Sequence, residues 1–538
     1  MPFFDFHCHP GFKPLLAPAG QEPTPWKSIK AELTILGSSV GINKLFNKAL
    51  NSQSSLGQLV TGKVNLVGTV LYATEKQMGV GVLQKKIAAA GDINVLDPGK
   101  LTIISRGDNY YKLTKDNVEI LLNHPTPGAG DDMVPAGSNF KFIKSIDEYE
   151  ENNLNTIHGV AIVEGMHSFA NDVFSANVEN DIVNNLNDFI QRYSDRNVRI
   201  FAANITHLQH LPFGAHASGL QFISDSLFFP EVTGLTALGK NIVKLLHDKK
   251  ILVDIKHMAF STRTALYAFR DINQLTQPII CTHAGIAGCR MDERLNFLRS
   301  RPKRVVVSVR NPPDQVAVWE VEHLKPKGHV KAPNGDRLVS AFNVSSINLY
   351  DEDIIKILDS KGLIGISLDQ RIVGYPAESV AHGIDVFPSE VEYISEADAA
   401  TFFGPMNPAA LEVFDGDFDK VLRGSEAEDH NFATHDSHAR YFLNQVIHIL
   451  RVGKEAGILN EAAKRVCIGS DFDGLINAID CCETAMTYDQ FKRQLKDIME
   501  ENRFWNGTGI AKGEVDVDEL LEGLFFKNAF EFLKVNFV

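Results

Sequence analysis

The chain has 538 residues, 44% of them hydrophobic and 22% charged, which is the balance of an ordinary globular protein. Its formal net charge is −14 and no dense Lys/Arg block occurs, which argues against a protein that grips nucleic-acid backbones or anionic membrane surfaces. Six scattered cysteines without a CxxC pair speak against a disulfide framework and against a Cys-based structural zinc, and they fit a reduced, cytoplasmic setting. The first apolar run begins at residue 3, which predicts no secretory leader, and no apolar run reaches the length needed to span a bilayer.

Taken in chain order, short β-rich apolar runs alternate with helical ones. FFDFH (3–7) and VNLVGTVLY (64–72) read as strands, and a long connection over 76–155 contains the Gly/Pro-rich tract HPTPGAGDDMVPAG. GVAIVE (159–164) and VRIFAANIT (198–206) follow. In GLTALGKNIVKLLHDKKILVDIKH, the apolar residues Leu238, Ile242, Leu245 and Leu246 lie on one helical face, and ILVDI (251–255) then forms a compact strand. PIICT (278–282) precedes a second long connection, 285–350, whose RPKRVVVSVRNPPD suggests an extra strand or hairpin. A helix around Ile354–Leu358 leads to LIGISL (363–368), and a third insertion, 371–435, precedes RVCIGS (465–470). Continuous rather than alternating apolarity is what strands covered by helices require. Eight such strands predict an α/β fold, a (β/α)₈ TIM barrel built as one domain over 1–538, with the three insertions roofing its site. An open doubly wound sheet is the alternative on periodicity alone.

Nearly every candidate strand ends in an imidazole or a carboxylate. FFDFHCH carries His7 and His9, GVAIVEG carries Glu164, and NITH carries His207. VDIKH carries His257, IICTH carries His283, and CIGSDFDG carries Asp471 and Asp473. Singly, each has an ordinary reading: a hydrogen-bonded structural histidine, a helix N-cap aspartate, a surface Glu-Gly. Together, in a barrel, they converge on the rim where the C-terminal ends of the strands meet. Imidazole and carboxylate oxygen suit Zn²⁺ and similar divalent ions. Four histidines and one glutamate exceed the needs of one tetrahedral ion, whereas a carboxylate shared by two ions would use them all. Asp471, outside that set, could move the proton of an attacking water.

These motifs resemble the renal (membrane) dipeptidase family, zinc metallopeptidases of the amidohydrolase superfamily. The likeness covers most of the barrel in order: the His-rich first strand, Glu-Gly after AIVE, NITH, GLTALGKNIVKLLHDKKILVDIKHM, PIICTHAG, IGSDFDG and the closing GLFFKNAFEFLKV. The resemblance implies two divalent metal ions, zinc first, one held by His7, His9 and Glu164 and the other by Glu164, His257 and His283. It implies that His207 contacts the substrate carbonyl or oxyanion, that Asp471 is the acid/base, and that dipeptides or related small amides are hydrolysed.

Two departures stand out. The family usually has His-x-Asp where this chain has His7-Cys8-His9, and it carries a carboxylate-binding Arg where this chain has Ile347. Arg290, Arg294 and Arg310 are the candidates for that substrate contact. Alternative readings are hydrolysis of a cyclic amide, an N-acyl amino acid or a phosphoester on the same barrel, or a catalytically silent metal-binding barrel. The expected partner is a small molecule, with neither nucleic acid nor membrane; a homodimer is left open.

Overall fold

The computed structural model describes residues 2–18, 23–31, 48–76, 96–218, 230, 232–298, 302–308, 315–322, 340–376, 391–403, 412–413 and 435–538. Eight parallel strands follow one another in chain order around the sheet: β1 (Phe3–Cys8), β2 (Val64–Tyr72), β3 (Thr156–Glu164), β4 (Ile200–Asn204), β5 (Leu252–Asp254), β6 (Ile280–Ala284), β7 (Leu363–Ile366) and β8 (Val466–Ile468). All eight runs expected from the sequence are strands. β4 is shorter than VRIFAANIT, because Ile205–His207 leave the ladder and carry His207 onto the rim.

The sheet closes between its first and last strands, which removes the open doubly wound alternative. Cys8 forms a parallel bridge with Phe472. The His9 amide donates to the Phe472 carbonyl at 2.8 Å, and the Asp471 amide donates to the His7 carbonyl at 2.9 Å. Asp5, wholly buried, strengthens this seam: it accepts from the Ser470 amide at 2.9 Å and from the Tyr488 hydroxyl at 2.7 Å. Closure satisfies the edge groups that an open sheet would leave unpaired.

Continuous burial explains the apolar strand sequences, since one face of each strand fills the barrel and the other meets a helix. Phe4, Phe6, Leu66, Ile162, Phe201, Leu252, Ile280 and Leu363 share the inner cluster with Phe532, Leu533 and Phe537. The last three come from the helix Asn528–Asn536 and its end, which cover the barrel's floor. Outward residues such as Val67, Val163, Ile255 and Ile364 join the larger cluster beneath the helices.

Outside the barrel, Asn139–Phe142 pairs parallel with β3. Pro302–Ser308 and Gln315–Glu322 form an antiparallel hairpin, which Val391–Ser395 extends, so parts of two insertions build one small sheet. Among the described residues no helix is long and apolar enough to cross a membrane.

Candidate metal centre

The C-terminal ends of six strands deliver the polar groups. His7 and His9 stand two apart, so the strand period turns both to the same side. The pairing of β1 with β2 is irregular between Asp5 and Cys8, and that of β6 with β7 between Cys281 and Ala284. Such irregularities re-aim side chains, and here they fall on His7 and His283. His257 and Asp471 adopt left-handed backbone with φ of 66° and 64°. Conformations of this kind cost energy in non-glycine residues and cluster at functional sites.

Glu164, the last residue of β3, is the hub. Its Oε1 lies 3.1 Å from His257 Nε2, 3.4 Å from His283 Nε2, 3.5 Å from His207 Nε2 and 3.6 Å from His7 Nε2. Its Oε2 lies 3.5 Å from His9 Nε2. Asp471 Oδ1 stands 3.2 Å from His9 Nε2 and 3.8 Å from His7 Nε2. The side chains of the five histidines and Glu164 are at most 8% exposed, and Asp471, at 16%, is the most open member. Among the described residues three compact sets of donor atoms emerge: His7, His9 and Asp471; Glu164, His257 and His283; and, behind them, His7, Asp254 and His283.

Protons alone do not satisfy this cluster. His7 Nε2 is buried without a hydrogen-bond partner. His257 Nε2 and His283 Nε2 face each other at 3.0 Å, a separation at which at most one nitrogen carries the hydrogen. Burial holds His7, His257 and His283 well below the usual imidazole range, and the neighbouring imidazoles and the Lys256 ammonium push them the same way. Neutral imidazoles beside a carboxylate are the donor set a divalent cation takes, so these residues fit such an ion. Burial also raises Glu164 to about 7, against the pull of His207 and His9.

Behind this cluster stand residues that the sequence reading missed. The Thr282 hydroxyl donates to Asp254 and accepts from Nδ1 of His7 at 2.8 Å, with His283 Nδ1 3.2 Å away. This leaves Nε2 of His7 free of hydrogen and turned inward. Asp254 inside ILVDI was a usable signal, since a carboxylate in an otherwise apolar strand needs partners. Glu75, in YATEKQ near the start of the first insertion, gave no such signal. It accepts from Nδ1 of His207 and from the Tyr72 hydroxyl. Burial would raise Glu75, but the facing His207 outweighs it and holds the carboxyl at about 2; burial would lower His207, but Glu75 and Glu164 hold it up at about 9. His207 thus differs from His257, although both face Glu164, because only His207 has a second carboxylate behind it.

The other candidates lie elsewhere. Arg290 is 57% exposed and pairs with Asp292 and Glu352. Arg294 is buried and pairs with Glu392 at 3.5 Å. Arg310 lies outside the described residues. Asp473 is a structural anchor: it accepts from the amides of Gln53 and Ser54 at 2.8 and 2.9 Å and pairs with buried Lys13 at 2.7 Å.

No protein-family model matches the chain, and no curated protein does. Among solved structures it is similar to the dipeptidase AC, a metallo-peptidase, at 13% identity over 99% of this chain and 98% of the other, with a TM-score of 0.46. It is similar to the probable dipeptidase PvdM from Pseudomonas aeruginosa at 12% identity over 90% and 88% of the two chains, with a TM-score of 0.47. It is also similar to a metallo-peptidase from Rhodobacter sphaeroides bound to a phosphinate mimic of the dipeptide L-Ala-D-Ala, at 11% identity over 99% of each chain, with a TM-score of 0.45.

Proposed function

We propose that the chain is a metal-dependent hydrolase that cleaves the amide bond of dipeptides or related small amides. Two divalent ions, zinc first, would be held by His7, His9 and Glu164 on one side and by Glu164, His257 and His283 on the other. The observation that supports this reading is the reach of one carboxylate oxygen, Glu164 Oε1, to four imidazole nitrogens within 3.6 Å. When bound, such a pair polarises a carbonyl and activates water at neutral pH.

The chain's own groups do the rest. Asp471, beside His9 and the most open member of the cluster, accepts the proton of the attacking water and returns it to the leaving amine. His207 Nε2, on the other side of Glu164, donates to the oxygen of the scissile carbonyl as charge develops there. Burial of the remaining groups keeps bulk water from weakening these interactions. We assign the protein to the cytoplasm, in keeping with six free cysteines.

The test combines metal stoichiometry with turnover. Purified protein is expected to hold two ions per chain and to cleave members of a panel of L-L and L-D dipeptides. Asp471→Asn should retain its metal and lose roughly 10²- to 10⁴-fold in kcat. Active material without bound ions, full turnover by that variant, or cleavage of nitrophenyl phosphate but of no dipeptide would each overturn the reading.

A further inference from the structure

Glu75 lies three residues beyond β2, is wholly buried, and has no place among the candidate metal ligands. Three donors converge on it. Its Oε1 accepts from His207 Nδ1 and, at 3.3 Å, from the Leu208 amide; its Oε2 accepts from the Tyr72 hydroxyl. Two of the three come from side chains whose rings border the metal cluster, which is more than a tie between two loops requires.

The consequence falls on the far side of the His207 ring. With Nδ1 engaged, Nε2 is the nitrogen left to face the centre, and it stands 3.5 Å from Glu164 Oε1. The ring plane is fixed as well. Tyr72 meets it edge-on with centroids 5.1 Å apart, His257 does so at 4.3 Å, and His167 stacks at 6.3 Å. His167 is itself tied through Nε2 to the Ala73 carbonyl at 2.7 Å. The segment Tyr72–Glu75 therefore grips His207 directly and through its neighbour.

We infer that Glu75 is the positioning residue of His207: by accepting the Nδ1 hydrogen it fixes the ring orientation that aims the Nε2 hydrogen at the oxygen of the bound substrate, while Tyr72 holds Glu75 in place. A carboxylate behind an imidazole fixes which nitrogen does the work at the front. The inference rests on the reading of His207 as a substrate-facing group.

The test reads the imidazole itself. Full-length protein carrying ¹⁵N-labelled histidine, both metal-free and zinc-loaded, is studied by long-range ¹H–¹⁵N NMR, with the His207 signals identified by their loss in His207→Gln. The wild type should show His207 hydrogen-bonded at Nδ1. Glu75→Ala should lose that signature, and in the zinc-loaded form kcat for the cleaved dipeptide should fall about 10- to 100-fold with KM little changed. Glu75→Gln, whose amide oxygen accepts the same hydrogen, should restore both. Should Glu75→Ala fail to fold, Tyr72→Phe removes the donor to Glu75 with little change in packing and should weaken the Nδ1 hydrogen-bond signature of His207. Unchanged His207 signals in Glu75→Ala or in Tyr72→Phe, or a Glu75→Gln protein as impaired as Glu75→Ala, would overturn the inference. If the wild type cleaves no dipeptide, the proposed function fails while the imidazole spectra still decide the role of Glu75.

Discussion

Thr282 Oγ1 lies 2.8 Å from Nδ1 of His7, although 275 residues separate them in the chain. The hydroxyl hydrogen is committed to Asp254, so the threonine can only accept from His7. Thr282→Val keeps the shape of the side chain and removes that acceptor. Zinc affinity, measured by competition with a chelator, should fall about 10- to 100-fold while the circular dichroism spectrum stays as it was. Unaltered affinity would mean that the tautomer of His7 is set by other means.

The same strand predicts a packing effect. A Cβ on Gly365 would fall 2.0 Å from the Thr282 carbonyl oxygen, and one on Gly469 would fall 1.7 Å from it. β7 can lie beside β6, and the residue after β8 can approach the same carbonyl, only because neither glycine carries a side chain. Gly365→Ala and Gly469→Ala should each lose about 1–3 kcal/mol or more in urea unfolding. A loss well below this would show that the barrel wall yields.

Asp471 and Asp473 are two residues apart and should respond differently. Lys13→Met leaves Asp473 as a buried carboxylate without its cation, a change that costs about 3–5 kcal/mol in comparable pairs. Asp471→Asn should leave the unfolding midpoint close to that of the wild type while kcat falls by roughly 10²- to 10⁴-fold. Reversal of these effects would exchange the roles assigned to the two aspartates.

The buried imidazoles make the metal-free protein sensitive to acid. His7, His257 and His283 have folded-state pKa values held well below 6.5, so below that pH the unfolded chain binds protons that the folded chain refuses. The stability these three groups contribute is therefore full above 6.5 and falls as pH drops below it, whereas Glu164, raised to about 7, acts in the opposite sense. Urea unfolding between about pH 7.5 and pH 5 should show this decline, and His257→Gln should make it shallower. The same dependence on pH in His257→Gln as in the wild type would contradict the assigned environment.

Much of the barrel was legible because its requirements are local. Each strand must be apolar along its length, and each must end where a polar group can reach the rim, which is how FFDFH and IICTH advertise themselves. The convergence of His7, Glu164 and His283 follows from strand order alone once the sheet closes. Glu75 was not legible, because its importance arises from its meeting with His207, 132 residues later, and not from any spacing around it. Arg294 shows the converse. Its position in sequence fits substrate binding, but the small sheet formed by the insertions supplies Glu392 as its partner. Nothing in a single stretch of chain announces that pairing.

The seam between β1 and β8 bears on biosynthesis. Asp5 is made 465 residues before Ser470 and His9 is made 462 residues before Asp471, the partners to which they bind. Until those partners are made, that edge of β1 can bond only to water. The wall can therefore close only once residues 466–472 are made, and a ribosome stalled before residue 466 would hold a polypeptide able to make most of the wall but none of its closure.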